Sequence, residues 1–148
     1  MLPGAGRRLH QGTLAGVSHK HVLAEVHALE LCKGHANIVQ LLDLRVTPFK
    51  CTALVFEYVG PDLQARLRGE RSKFAQEQIR RIARQTGGGL SHLHNAGVVH
   101  ADLKPSNILT KQFAPEADAR EYFDVKLADL GNVLPAFTFH NTACRTSS

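Results

Sequence analysis

The chain has 148 residues, 43% hydrophobic and 21% charged, the balance of an ordinary globular protein with enough length for one cored domain. Its 18 Lys and Arg against 13 Asp and Glu leave a net charge of +5, but the charge is scattered, which argues against a nucleic-acid face. Three cysteines lie far apart without a Cys-x-x-Cys, which excludes a zinc knuckle and a disulfide framework, and no apolar run reaches the ~18 residues of a membrane span.

The cysteine usage fits a reducing compartment. With no apolar h-region at the N-terminus, neither a signal peptide nor a membrane partner is expected, and the expected location is intracellular, cytoplasmic or nuclear. Nine histidines invite a metal reading. His92 and His94 stand two apart, however, which suits no helix-face ligand spacing, so packing or surface roles are expected.

In chain order, residues 1–19 are Gly-rich and basic with little periodicity. Residues 20–32 read as an amphipathic helix carrying Val22, Leu23, Val26 and Leu29, with Gly34 as its stop. Residues 38–46 and 51–59 read as two strands with Pro48 between them. Gly60-Pro61 ends the second, and Asp62 caps a short helix over 63–67. A longer helix is expected over 75–94, from Ile79, Ile82, Ala83, Leu90 and Leu93 at spacings of three and four. Gly87, Gly88 and Gly89 lie inside it, at a cost of roughly 1 kcal/mol each against Ala, so this helix must rely on packing. Val98-Val99 reads as a short buried strand. Residues 108–109 and 125–127 read as a hairpin around a charged loop over 111–124. No repeat or linker divides the chain.

Residues 100–107 read His-Ala-Asp-Leu-Lys-Pro-Ser-Asn, and residues 129–131 read Asp-Leu-Gly. Asp102 can accept a hydroxyl proton. Asn107 can ligate a cation through its amide oxygen, and Asp129 supplies a second oxygen ligand. Lys104 adds a positive charge between them. Phosphoryl transfer needs this set: a base at the nucleophile, oxygen ligands for Mg²⁺, and a cation near the transferring phosphate. Alone, Asp102 and Asn107 would read as ordinary turn caps. Together, in this order, they form a pattern that resembles the eukaryotic protein kinase family, in its serine/threonine version.

The resemblance covers about residues 5–134. It implies an α+β fold, a partial protein kinase-like domain spanning 1–148. About 5–59 would form an incomplete N-lobe (a helix with two or three strands) and the hinge, and about 62–148 the first half of a helical C-lobe, truncated in the activation segment. It implies ATP and Mg²⁺ as cofactors and a protein substrate bearing Ser or Thr. Asp102 would be the catalytic base and Lys104 the γ-phosphate partner, with Asn107 and Asp129 as metal ligands. His100 would pack under the Asp129 loop, and Leu130 would keep the apolar character of the usual Phe. Glu25 matches the Glu of the N-lobe helix, followed by a Gly34-His35-Ala36-Asn37-Ile38-Val39 stretch similar to the family's. Phe56 resembles a gatekeeper, Glu57, Tyr58 and Val59 the adenine-binding hinge, and Leu109 the floor of that pocket. The stretch after the hinge and the insertion over 111–124 are mildly similar to the cyclin-dependent branch.

The pattern also breaks. No Gly-rich phosphate loop is found, Gly4 and Gly6 lacking a third glycine. Arg7 stands 18 residues before Glu25, where the family has Lys. Ala101 replaces the Arg that would receive a phosphorylated activation segment, so phosphorylation of Thr138, Thr142 or Thr146 is expected to do little. No Ala-Pro-Glu follows Asp129, so Leu90, Leu93, Val98 and Val99 are expected to lose neighbours and expose apolar surface. Two readings follow: a serine/threonine kinase, or a catalytically impaired, pseudokinase-like interaction module or non-functional truncated fragment.

Overall fold

The computed structural model describes residues 10–13, 19–46, 52–69, 74–112 and 123–136. Strand β1 (His10–Thr13) precedes helix α1 (His19–Leu31). Strands β2 (Leu41–Val46) and β3 (Thr52–Phe56) follow, then helices α2 (Leu63–Gly69) and α3 (Gln76–Asn95). Strand β4 (Val98–Val99), a single 3-10 turn (Pro105–Asn107), β5 (Ile108–Gln112), β6 (Phe123–Leu127) and β7 (Leu134–Pro135) complete the order.

Among the described residues, four antiparallel pairings in three small sheets organise these strands. β3 is the middle of a three-stranded sheet, with β1 on one side and β2 on the other. β5 and β6 form the expected hairpin, Ile108 opposite Leu127, and β4 pairs with β7. β1 is a strand where no periodicity predicted one. His-Gln-Gly-Thr has no apolar alternation to read, and its partner β3 supplies the pairing, with His10 opposite Phe56.

α1 turns Val22, Glu25, Ala28 and Leu29 inward at helical spacing, whereas Leu23 is exposed. Gly34, at φ 85°, ends the turn after it, as expected. Strands β2 and β3 are both shorter than the apolar runs that suggested them. Residues 38–40 leave the sheet to join β6 instead: Leu127 N–H donates to Asn37 C=O (2.8 Å), and Val39 N–H donates to Leu127 C=O (2.9 Å). Gln40 N–H is taken by the Glu57 carboxylate at 2.9 Å, which closes the other end of β3.

Asp62 caps α2 as expected, its Oδ1 accepting the Ala65 N–H at 2.7 Å. α2 runs on to Gly69, two residues beyond the apolar pattern. Just before it, Gly60 has φ 149°, and a Cβ there would collide with the Thr110 carbonyl. Only glycine allows that approach, which lets Thr110 N–H and Oγ1–H both donate to Pro61 C=O, at 2.9 and 2.7 Å.

α3 stays continuous through its three glycines, and the cause is packing. Gly89 is buried, and a Cβ on it would lie 2.9 Å from Leu127 Cδ1 and 3.0 Å from Asn37 C=O. The absent side chain thus admits β6 and the loop after α1 against the helix. One core joins Leu29, Cys32, Ile38, Leu93, Ile108, Val125, Leu127 and Leu130, all buried. The expected exposure of Leu93 and Val98 is not found. Both are buried, Val98 lying in the strand that pairs with β7.

Candidate active site

The residues around Asp102 are held by their own backbone. His100 is buried, and its Nε2 lies 3.1 Å from Ala128 O, so it packs under the Asp129 loop as expected. Asp102 N–H donates to His100 C=O at 2.9 Å. Asn107 Nδ2 donates to Asp102 C=O at 2.9 Å and to Oδ2 at 3.3 Å. Ala128 N–H in turn donates to Asn107 C=O at 2.9 Å. Two loops that are distant in sequence are thereby stitched together at the residues singled out by their chemistry.

Two non-glycine residues here adopt the left-handed conformation, Ala101 at φ 60° and Asp129 at φ 61°. Such backbone is sparsely populated and costs on the order of 1–3 kcal/mol, and it clusters where a side chain must be aimed. Leu130 is fully buried in the core, which anchors the turn beyond Asp129.

Lys104 Nζ pairs with Asp102 Oδ2 at 2.7 Å, with both side chains partly exposed. That hydrogen bond is the main influence holding the Asp102 carboxyl below its usual range. The Lys104 ammonium is held above its usual range by Asp102 first and then by the charge of Asp129. Lys104 therefore lies within electrostatic reach of both acids.

Glu25, like Asn107, is buried. Burial first, and the neighbouring Asp129 second, push its carboxyl up. A Cβ at Gly131 would sit 3.3 Å from Asp129 Oδ1 and 3.6 Å from Glu25 Oε2, so the bare glycine lets helix α1 and the Asp129 turn meet. Among the described residues no cation pairs with Glu25. Arg7 lies outside the described residues.

The hinge candidates lie together between the sheet and α2. Phe56 ends β3 and packs partly buried against the core, as does Leu109, and Val59 is buried within it. Tyr58 is half exposed. Glu57 carries a contact that the sequence did not suggest. Its Oε1 pairs with Lys126 Nζ at 2.5 Å, with only 12% of the Lys126 side chain exposed. Lys126 lies on β6, three residues before Asp129, so an ion pair links the segment after β3 to the strand that leads to Asp129. Nothing local signals this, because the partners are 69 residues apart.

A second unanticipated network lies behind β6. Gln85 Oε1 accepts Val125 N–H (2.7 Å) and Asn37 Nδ2–H (3.1 Å), and its Nε2 donates to Asp124 Oδ1 (2.9 Å). Arg81 binds the same Asp124 oxygen at 2.8 Å. One glutamine thus ties α3, β6 and the loop after α1 together.

Among the described residues no group of three or more His, Cys, Asp or Glu is placed to hold a metal ion, and no helix is long and apolar enough to cross a membrane. Asn107 and Asp129 are the oxygen donors on hand. With its nitrogen committed to Asp102, Asn107 has Oδ1 left for a cation.

Comparison with known proteins points the same way. Residues 5–145 match the protein kinase domain family. The protein named "Putative cyclin-dependent kinase F-2" in Oryza sativa subsp. japonica is 35% identical over 135 residues, which is 86% of this chain and 38% of that protein. The MAP kinase-interacting serine/threonine-protein kinase mnk-1 of Caenorhabditis elegans is 38% identical over 117 residues, 76% of this chain and 15% of that protein. The mitogen-activated protein kinase mpkC of Aspergillus terreus is 36% identical over 114 residues, 76% of this chain and 27% of that protein. The chain thus spans well under half the length of these relatives.

Proposed function

Because this chain belongs to the protein kinase family, we propose that it forms the phosphotransfer centre of a serine/threonine kinase, acting on a Ser or Thr hydroxyl of a protein substrate. The observation that carries this reading is the bonded set Asp102, Lys104 and Asn107, joined to the Asp129 turn through Ala128. The proposed unit is one domain, with the hinge near Glu57–Val59 joining residues 5–59 to residues 62–148.

Each residue has a definite task. Asp102, held ionised by Lys104, accepts the proton of the attacking hydroxyl and orients its oxygen. Lys104, paired here with Asp102, would supply positive charge to the oxygens of a bound phosphate. Asn107 Oδ1 and the Asp129 carboxylate would hold Mg²⁺. This donor set suits a cation that takes one or two protein oxygens and completes its shell with phosphate and water. When bound, ATP supplies the phosphoryl group and Mg²⁺ neutralises the charge that develops on it. Backbone groups of Glu57 and Val59 would bind the adenine edge, with Phe56 behind it and Leu109 beneath.

Arg7 is the proposed cation for Glu25, whose buried and raised carboxyl calls for one. A forked guanidinium is not equivalent to a lysine ammonium, so Arg7 would position phosphates less well. The buried carboxyl of Glu25 beside Asp129, with no cation paired to it among the described residues, favours a second reading, an interaction module with impaired catalysis.

Thermal unfolding of the 148-residue chain with and without Mg²⁺ and ATP separates the two readings, since a ligand that binds only the folded state raises the midpoint. The kinase reading expects a rise that Asp129→Asn abolishes. It also expects phosphate transfer to a Ser/Thr peptide mixture that falls about 10²–10⁴-fold in Asp102→Asn. A chain that folds, but shows neither midpoint rise nor transfer, belongs to the second reading.

A further inference from the structure

The loop after α1 meets helix α3 through two imidazole rings. His35 and His92 stack with centroids 4.4 Å apart and planes inclined by 22°. His35 also organises the loop. Its Nδ1 accepts the Asn37 N–H at 3.2 Å, and its C=O accepts from Ile38 N–H (3.3 Å) and Gln40 Nε2 (3.4 Å). Asn37 is the next link, bonding both Gln85 on α3 and Val125 C=O on β6.

An imidazolium has N–H on both nitrogens and no acceptor. Protonated His35 would therefore point a donor at the donor of Asn37 and lose that bond. It would also set a positive charge against the ring of His92. The surrounding charges offer no relief. On its own loop stand Lys33, already paired with Glu30, and the neutral amides of Asn37 and Gln40. From α3 comes His92, and from β6 comes Lys126. The nearby carboxylate of Glu57 is committed to that same Lys126. Among the described residues no carboxylate pairs with either histidine.

We propose that the His35–His92 stack is a proton-released latch between the α1 loop and α3: neutral rings keep the loop docked, and protonation undocks it. The direction of titration agrees. Burial first, then His92, then Lys126 hold the His35 ring below its ordinary value of 6.5. The unfolded chain then binds more protons, so the docked state loses stability as pH falls from that ordinary value through the depressed one. The latch concerns the seam between helices, not phosphotransfer, and it stands whichever functional reading holds.

The test uses the 148-residue chain from about pH 7.5 down to about pH 5, the histidine range. Ring chemical shifts in NMR report the titration of His35, and amide exchange at Asn37 and Val39 reports undocking. The variant His92→Phe keeps a stacking ring and removes one titrating group. The expected result has three parts: His35 titrates below a free histidine, its neighbours' exchange rises several-fold beyond the intrinsic pH effect, and His92→Phe flattens that rise. His35 titrating at or above the free value overturns the proposal from the wild-type chain alone, even if the variant does not fold. Equal pH slopes in wild type and His92→Phe overturn it as well.

Discussion

Strands β2 and β6 are both rich in apolar residues and meet opposite fates. Val125 and Leu127 on β6 are fully buried, whereas Leu42, Leu44 and Val46 on β2 are 49%, 44% and 71% exposed. β6 is flanked by β5, covered by α3 and joined from a third side by the loop after α1. Among the described residues β2 has β3 alone as its strand partner. Apolar composition gives a strand something to bury, and the number of neighbouring elements decides whether it does so. The contrast places most of the fold's stability in the α3–β6 seam and little of it in β2.

Five substitutions break or sharpen that contrast, each read as a shift in denaturant or thermal unfolding. Leu127→Ala empties the centre of the seam and is expected to cost about 2–5 kcal/mol. A cost below about 1 kcal/mol would mean the seam is not the core. Gln85→Ala leaves Asp124, Val125 N–H and Asn37 without a shared partner, and a loss of about 1–3 kcal/mol is expected. Gly89→Ala drives a methyl group into Leu127 and the Asn37 carbonyl and is expected to cost about 1–3 kcal/mol. Gly87→Ala, two residues earlier in the same helix, meets nothing within 4 Å and is expected to stabilise by about 0.5–1 kcal/mol. Glycine substitutions of opposite sign in one helix would separate packing from propensity. The smallest effect belongs to β2: Leu44→Ser is expected to stay within about 0.5 kcal/mol.

The same contrast governs what could be read from the sequence. The chemistry of residues 100–107 is contiguous, so its residue types and order were plain without a fold. α3 was legible from the spacing of Ile82, Leu90 and Leu93, and its glycines posed a cost whose answer, the close approach of Leu127 to Gly89, is tertiary. β1 was invisible, because four residues without alternation become a strand only beside β3. The ends of β2 and β3 were overextended, because apolar character continues through Ile38 and Val59 while the hydrogen bonds go to Leu127 and Glu57 instead. Lys126 carries no local sign of a role in Val-Lys-Leu, and only its distant partner Glu57 makes it structural. The two stacked imidazoles escaped for the same reason, each being an unremarkable histidine until the other is beside it.

The paired left-handed residues on either side of Asp102 and Asn107 carry a consequence for selection. Glycine would relax the backbone at 101 and at 129, so a population screened for heat resistance alone would drift toward it at both places. At 101 the drift would remove a single methyl group. At 129 it would erase a carboxylate, and with it a metal ligand of the proposed phosphotransfer centre.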